Sequence, residues 1–167
     1  LKEPNVITNG WDYICFTNSI NTKSKTWKIY PIPRELSNLS NVKIQRMIKI
    51  CPHRYLPEYN ECLWVDGNIT IKCDLNKFVG RFCHSDFHTV KHPDRDCIYD
   101  ECMAVIRLKK DTKENVNEVL EWLEHERFPH NFGLGETNLI YRKNTQNTND
   151  ICDEWGRQML SRKTHRD

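Results

Sequence analysis

The 167 residues carry 25 Lys and Arg against 23 Asp and Glu, a formal net charge of +2, with 38% hydrophobic residues. That length supports one domain with a real core, and so balanced a charge excludes a whole-chain electrostatic case for nucleic-acid binding. No apolar run approaches the ~20 residues of a membrane span, and the opening residues do not read as a secretory leader.

In chain order, the run at 12–17 is apolar and bounded by Asn18, which predicts a buried strand. Residues 26–32 alternate apolar and polar and predict a second strand, stopped by Pro31 and Pro33. Asn41 to Ile50 sets Val42, Ile44, Met47, Ile48 and Ile50 among Lys43, Arg46 and Lys49, an amphipathic helix with one basic face. Arg46 and Lys49 lie three apart, so one helix face could present both to a bound phosphate. A solvated basic face is the commoner meaning of such spacing.

The stretch from Cys62 to Leu75 is the most informative. An apolar run, Cys62-Leu63-Trp64-Val65, stops at Asp66-Gly67-Asn68. A run without a polar face reads as a strand buried on both sides, and Asp66 then falls at its carboxyl end, where open α/β sheets bind ligands. Gly67 suits a sharp turn or a close approach of backbone to ligand. Asp66 and Asn68 supply hard oxygen donors of the kind that Mg²⁺ or Mn²⁺ takes while also touching a diphosphate. The same tripeptide is a good hairpin turn, and by itself it does not decide between the two.

Further on, 69–72 reads as a short strand and 74–79 as a short helix capped by Asp74. Residues 82–90 read as a strand rich in His; His84 and His88 lack the acid or Cys partners of a full metal-ligand set. Asp94 or Asp96 is placed to cap a helix reaching about Leu108, with Arg95 before its start and Glu101 in its first turns. A second helix covers 113–126. A Gly-containing loop, 128–135, leads to the polar cluster Glu136-Thr137-Asn138 and a strand at 139–142; this suits substrate contact. A final helix at 149–160 precedes the basic tail of Arg162, Lys163, Thr164, His165 and Arg166. The alternation of strands and helices predicts one α/β domain over 1–167 with a largely parallel sheet flanked by helices. None of the eight cysteines (15, 51, 62, 73, 83, 97, 102, 152) forms a C-x-x-C pair. That pattern argues against zinc and for free thiols packed as small hydrophobes in a reducing compartment, with a disulfide-bonded lumenal protein as the alternative.

Four blocks in register carry a family resemblance. They are Arg46 with Pro52-His53-Arg54-Tyr55-Leu56-Pro57-Glu58-Tyr59 and Trp64 to Asn68; His92-Pro93 with Arg95, Cys97-Ile98-Tyr99 and Glu101; Gly133-Leu134 with Glu136-Thr137-Asn138, Ile140 and Arg142; and the terminal Arg166-Asp167. Together they resemble a glycosyltransferase-like family found in plant cell-wall and mucilage-polysaccharide proteins and in bacterial capsule-type proteins. More distantly, the helix with an Arg, the Leu-Pro-x-Tyr turn and the apolar strand ending in Asp-x-Asp look like the glycogenin and lipopolysaccharide-galactosyltransferase pattern. Asn68 stands here at the second Asp of that pattern.

The resemblance implies a GT-A, Rossmann-like fold, a nucleotide-diphosphate sugar donor (a UDP-sugar first among them), a glycan or polysaccharide acceptor, and Mn²⁺ or Mg²⁺. By carry-over, Asp66 and Asn68 hold the metal. The donor-binding set is Arg46, Lys49, Asp66, Gly67, Asn68, His92 and Arg95. Glu101, Glu136 and Asn138 stand on the sugar and acceptor side as the catalytic candidates. It also implies that a first strand precedes Leu1 and a last helix follows Asp167, so that the domain is truncated at both ends. The expected compartment is the cytoplasm, or the Golgi lumen for a plant-like source. The main rival is a non-catalytic carbohydrate-binding or assembly domain on the same fold. A metal-dependent nuclease would want a denser set of carboxylates.

Overall fold

The computed structural model describes residues 1–19, 21–164 and 166. Two short strands, β1 (Ile14–Thr17) and β2 (Lys28–Pro31), pair in parallel. A turn of 3-10 helix at Arg34–Leu36 leads to α1 (Asn41–Ile50) and the single turn α2 (Pro52–Tyr55), then to β3 (Glu61–Val65). There follow α3 (Leu75–Phe82), β4 (Phe87–Lys91), α4 (Ile98–Arg107), α5 (Lys113–His125), β5 (Gly135–Lys143) and α6 (Gln146–Ser161).

The second sheet has the order β3-β5-β4, and both of its pairings are antiparallel. The expected, largely parallel sheet is therefore corrected to a mixed α/β arrangement of two small sheets. The alternation did encode one true feature. β3 and β4 are each antiparallel to β5, so they run the same way, with α3 as the crossover between them. What alternation cannot show is that the last strand returns between them, reversed.

α1 matches its predicted span because local signals agree. Ser40 accepts the Lys43 amide as N-cap, and Ile44, Met47, Ile48 and Ile50 are buried on one side. They form a core with Cys51 and Met159 that brings α1 against α6. Asp74 caps α3 as expected, accepting from the Lys77 amide at 2.9 Å.

Other expectations fail for identifiable reasons. Residues 69–72 form no strand. Ile71 is buried against Tyr13 and Leu75 instead, and its carbonyl accepts from the Asn5 amide at 2.8 Å. Neither Asp94 nor Asp96 caps α4. Cys97 stands at the N-cap without a side-chain bond, while the carbonyl of Asp96 accepts from the Gly133 amide. The strand expected at 82–90 begins only at Phe87, because α3 runs on to Phe82. The last helix starts earlier than expected, at Gln146, with Thr145 as its cap.

All eight cysteines are free, and Cys51, Cys97, Cys102 and Cys152 are buried. Burial pushes the Cys51 thiol up to about 12, so it stays neutral and packs as an apolar group.

α4 and α5 end alike. Lys109 (φ 53°) and Arg127 (φ 52°) take left-handed backbone where glycine is usual. The amides of Lys110 and Phe128 then bond back to the carbonyls of Val105 and Leu123, at 3.0 and 2.8 Å. Arg127→Gly is expected to relieve that strain by about 1 kcal/mol and to raise Tm by roughly 2–4 °C in thermal unfolding.

Candidate functional site

Asp66 directly follows β3 and begins a tight turn. Its carbonyl accepts from the Ile69 amide at 2.8 Å, and its own amide donates to the Asn138 carbonyl at 2.9 Å. The Trp64 indole N–H donates to Asp66 Oδ1 at 2.7 Å, which holds the carboxylate in one orientation. The tight turn is therefore present, and it carries the Asp66 carboxylate in a fixed orientation. Gly67 is not in left-handed backbone, and a Cβ there would meet nothing within 4 Å. The turn itself does not need glycine, which corrects that part of the sequence reading.

Two cavities meet at this point. The smaller, about 310 Å³, is walled by Arg46 and Lys49 of α1, Gly135 to Asn138 of β5, and His92 and Glu101. The larger, about 680 Å³, lies between β1, α1 and the end of β3, and takes in Gly67, Asn68, Asn18, Asn41 and Gln45. Arg46 and Asp66 belong to both walls. Each volume falls in the range of small-ligand sites.

Four consecutive residues of a regular strand cannot all face one cavity, since side chains alternate. They do so here because the ladder is irregular. Thr89 pairs with Ile140, but Val90 pairs with Glu136, so Thr137, Asn138 and Leu139 form an extra loop in β5 opposite β4. The Thr89 hydroxyl bridges that loop, within 2.7 Å of the Glu136 carbonyl and 2.9 Å of the Leu139 carbonyl. Gly135 is required beside it, since a Cβ there would stand 2.7 Å from Thr89 Cγ2. Lys49, 2% exposed, donates to Thr137 Oγ1 at 2.8 Å and ties α1 to the loop. Glu136, Thr137 and Asn138 were expected just before the strand; they lie inside it, and the bulge accounts for their exposure to the cavity. Thr89→Val is expected to lower stability by about 1–2 kcal/mol through the lost bridge. It should also weaken any ligand bound at Glu136 and Asn138; thermal unfolding and ligand titration on the same variant check both.

Arg95 does not reach either cavity wall. Its Nε donates to Glu101 Oε2, and Nη2 lies 3.0 Å from His92 Nε2. The guanidinium therefore holds Glu101 and His92 in place, and the anionic group it pairs with in this structure is the Glu101 carboxylate. Glu136 differs. Its carboxylate makes no ion pair or hydrogen bond among the described residues, which leaves it open to a ligand.

Among the described residues no cluster of three or more His, Cys, Asp or Glu is placed to hold a metal. A divalent cation at Asp66 and Asn68 would have two protein oxygens. Mg²⁺ accepts such a set, because it keeps several waters and takes substrate phosphates as ligands. The residues present fit that kind of ion and not a caged one. His84 and His88 line neither cavity.

The sequence reading did not single out Lys110 and Thr164 for this site, yet both wall the smaller cavity, with Arg166. Neither carries a local signal, because turn and tail reach the cavity only through tertiary packing. Asp167 and His165 lie outside the described residues.

Residues 15–153 match the family model of the TOD1/MUCI70 glycosyltransferase-like domain. No curated protein and no solved structure matches the chain significantly. Among the described residues no helix is long and apolar enough to cross a membrane.

Proposed function

Because the chain belongs to the TOD1/MUCI70 glycosyltransferase-like domain family, we propose that it transfers a sugar from a nucleotide-diphosphate sugar to a glycan acceptor. The observation that carries this reading is the junction of two cavities at Arg46 and Asp66. A nucleotide sugar has the same plan, with a diphosphate between a nucleoside and a sugar. In this reading the larger chamber takes the nucleoside. Phe16 and Trp27 offer it apolar surface, and Asn18, Asn41 and Gln45 offer hydrogen bonds for base and ribose edges. The smaller chamber takes the sugar and the attacking hydroxyl, in front of Glu136, Asn138, Glu101 and His92.

Arg46 and Lys49 stabilise the negative charge that grows on the diphosphate as its bond to the anomeric carbon breaks. Asp66 and Asn68 would hold Mn²⁺ or Mg²⁺, whose chemistry when bound is to neutralise the same charge as a Lewis acid. The acceptor oxygen forms the new bond to the anomeric carbon, and its proton passes to Glu136. Glu101, engaged by Arg95, and Asn138 orient the sugar hydroxyls. Gly67 leaves open space in which the diphosphate approaches the turn.

A second reading keeps the fold and the sugar contacts but no turnover. The single carboxylate of the Asp66-Gly67-Asn68 turn is the feature that favours it. Incubation with radiolabelled UDP- and GDP-sugars, Mn²⁺ and oligosaccharide acceptors separates the two. Labelled product or donor hydrolysis, lost in Glu136→Gln, is expected from a transferase. Glycan binding without any donor consumption would replace it with the non-catalytic domain.

A further inference from the structure

The smaller cavity is lined unevenly. α1 and β5 give it polar side chains, among them Lys49, Glu136 and Asn138. α4 and α5 give it Ile98, Cys102, Val105, Val116 and Val119. Helical spacing explains that wall. Ile98, Cys102 and Val105 stand at i, i+4 and i+7 of α4, and Val116 and Val119 stand three apart on α5, so each helix turns one apolar stripe inward. Cys102, Val105 and Val116 form a core cluster of their own, with Ile106, Val119 and Leu120 packed on it. Because that cluster borders the cavity, whatever fills the cavity completes its burial.

The wall offers little to a hydroxyl. Four of the five side chains are hydrocarbon, and burial pushes the Cys102 thiol up to about 11, where it is a neutral and weak donor. Glu101, the charged residue that these two helices bring to the cavity, is already engaged by Arg95. A sugar hydroxyl turned to the five residues would lose its water and find no good partner. A methyl group there would be buried favourably.

We propose that the sugar held in the smaller cavity carries a methyl group, as an N-acetylated amino sugar or a deoxy sugar ending in a methyl does. The methyl sits on the α4–α5 wall while the hydroxyls face Glu136 and Asn138. This rests on the nucleotide-sugar reading of the site and adds to it the class of sugar.

The test uses pairs of ligands that differ at the methyl-bearing group, titrated calorimetrically with Mn²⁺ into the purified protein. UDP-N-acetylglucosamine is compared with UDP-glucose, and GDP-fucose with GDP-L-galactose. One pair is expected to favour the methyl-bearing member by about tenfold or more, the scale of a small group in an apolar pocket, and which pair does so identifies the sugar. Val119→Thr keeps the shape of the wall and adds a hydroxyl, so it should shrink that preference several-fold and leave UDP affinity unchanged. Thermal unfolding shows that the variant is folded. Preferences below about threefold in both pairs, with UDP or GDP still bound, would overturn the methyl wall and leave the donor reading standing. A tenfold preference that Val119→Thr does not alter would also overturn it, by placing the methyl elsewhere. If the wild-type protein binds no nucleotide, the donor reading falls, and the wall is judged on chitotetraose against cellotetraose, which differ only in their acetamido groups. A tenfold preference for chitotetraose would then keep it, and equal or absent binding would overturn it as well.

Discussion

Asp66→Ala is expected to keep its fold and to lose Mn²⁺-dependent UDP binding by about 100-fold or more, the scale of removing a preorganised charge from a phosphate site. The structural role of the side chain is small. It accepts one bond from the Trp64 indole, a loss of about 1 kcal/mol. The turn bonds at this position are made by its backbone and survive the substitution. Asp66→Asn separates the two contributions. It keeps an acceptor for Trp64 but removes the charge, so binding should fall almost as far while Tm stays at the wild-type value. Calorimetry on both variants, with thermal unfolding as control, checks this. Wild-type affinity in Asp66→Ala would show that the diphosphate does not lie at this turn.

Gly156→Leu is expected to be the most damaging single change to stability, by about 3 kcal/mol or more, which corresponds to a fall in Tm of roughly 6–12 °C. A Cβ at Gly156 would stand 2.8 Å from Cys51 Sγ and 3.2 Å from Met47 Cε. Met47 has a flexible end that can yield. Cys51 does not: it is fully buried, and its thiol donates to the Cys152 carbonyl at 3.2 Å. A leucine would force α6 away from α1 at the seam of the main core. Because α1 carries Arg46 and Lys49, UDP binding should fall together with stability. Gly156→Ala is expected to cost less: it brings the same Cβ contact, partly offset by about 1 kcal/mol of gained helix propensity, but none of the further side-chain volume of leucine. Thermal unfolding of the two variants side by side shows whether packing or propensity governs the seam.

Where local chemistry decides a structure, the sequence was legible. α1, α5, the Asp74 cap and the strand ending at Asp66 all follow from periodicity, capping side chains and an apolar run closed by a turn. Long-range pairing was not legible. The reversed entry of β5 between β3 and β4 depends on which edges meet in space. The bulge opposite Thr89 leaves no mark in the polar run Glu136-Thr137-Asn138, though it is what turns those residues to one cavity. The pairing of Arg95 with Glu101 was not legible either, because charge density at a helix start reads the same whether its partner is a substrate or a side chain. Arg46, Lys49, Asp66, Glu136 and Asn138, which line one cavity, stand out in the sequence through spacing and family resemblance together. Lys110 and Thr164 do not, because neither position carries a local signal.

The most direct measurement of the central claim is a crystal structure of the protein with UDP and Mn²⁺, with the metal located by its anomalous scattering. The expected result is a manganese peak between Asp66, Asn68 and the diphosphate, with Arg46 on the phosphates and uridine in the larger chamber. UDP bound away from Arg46 and Asp66, or manganese bound to other side chains with the diphosphate elsewhere, would contradict it.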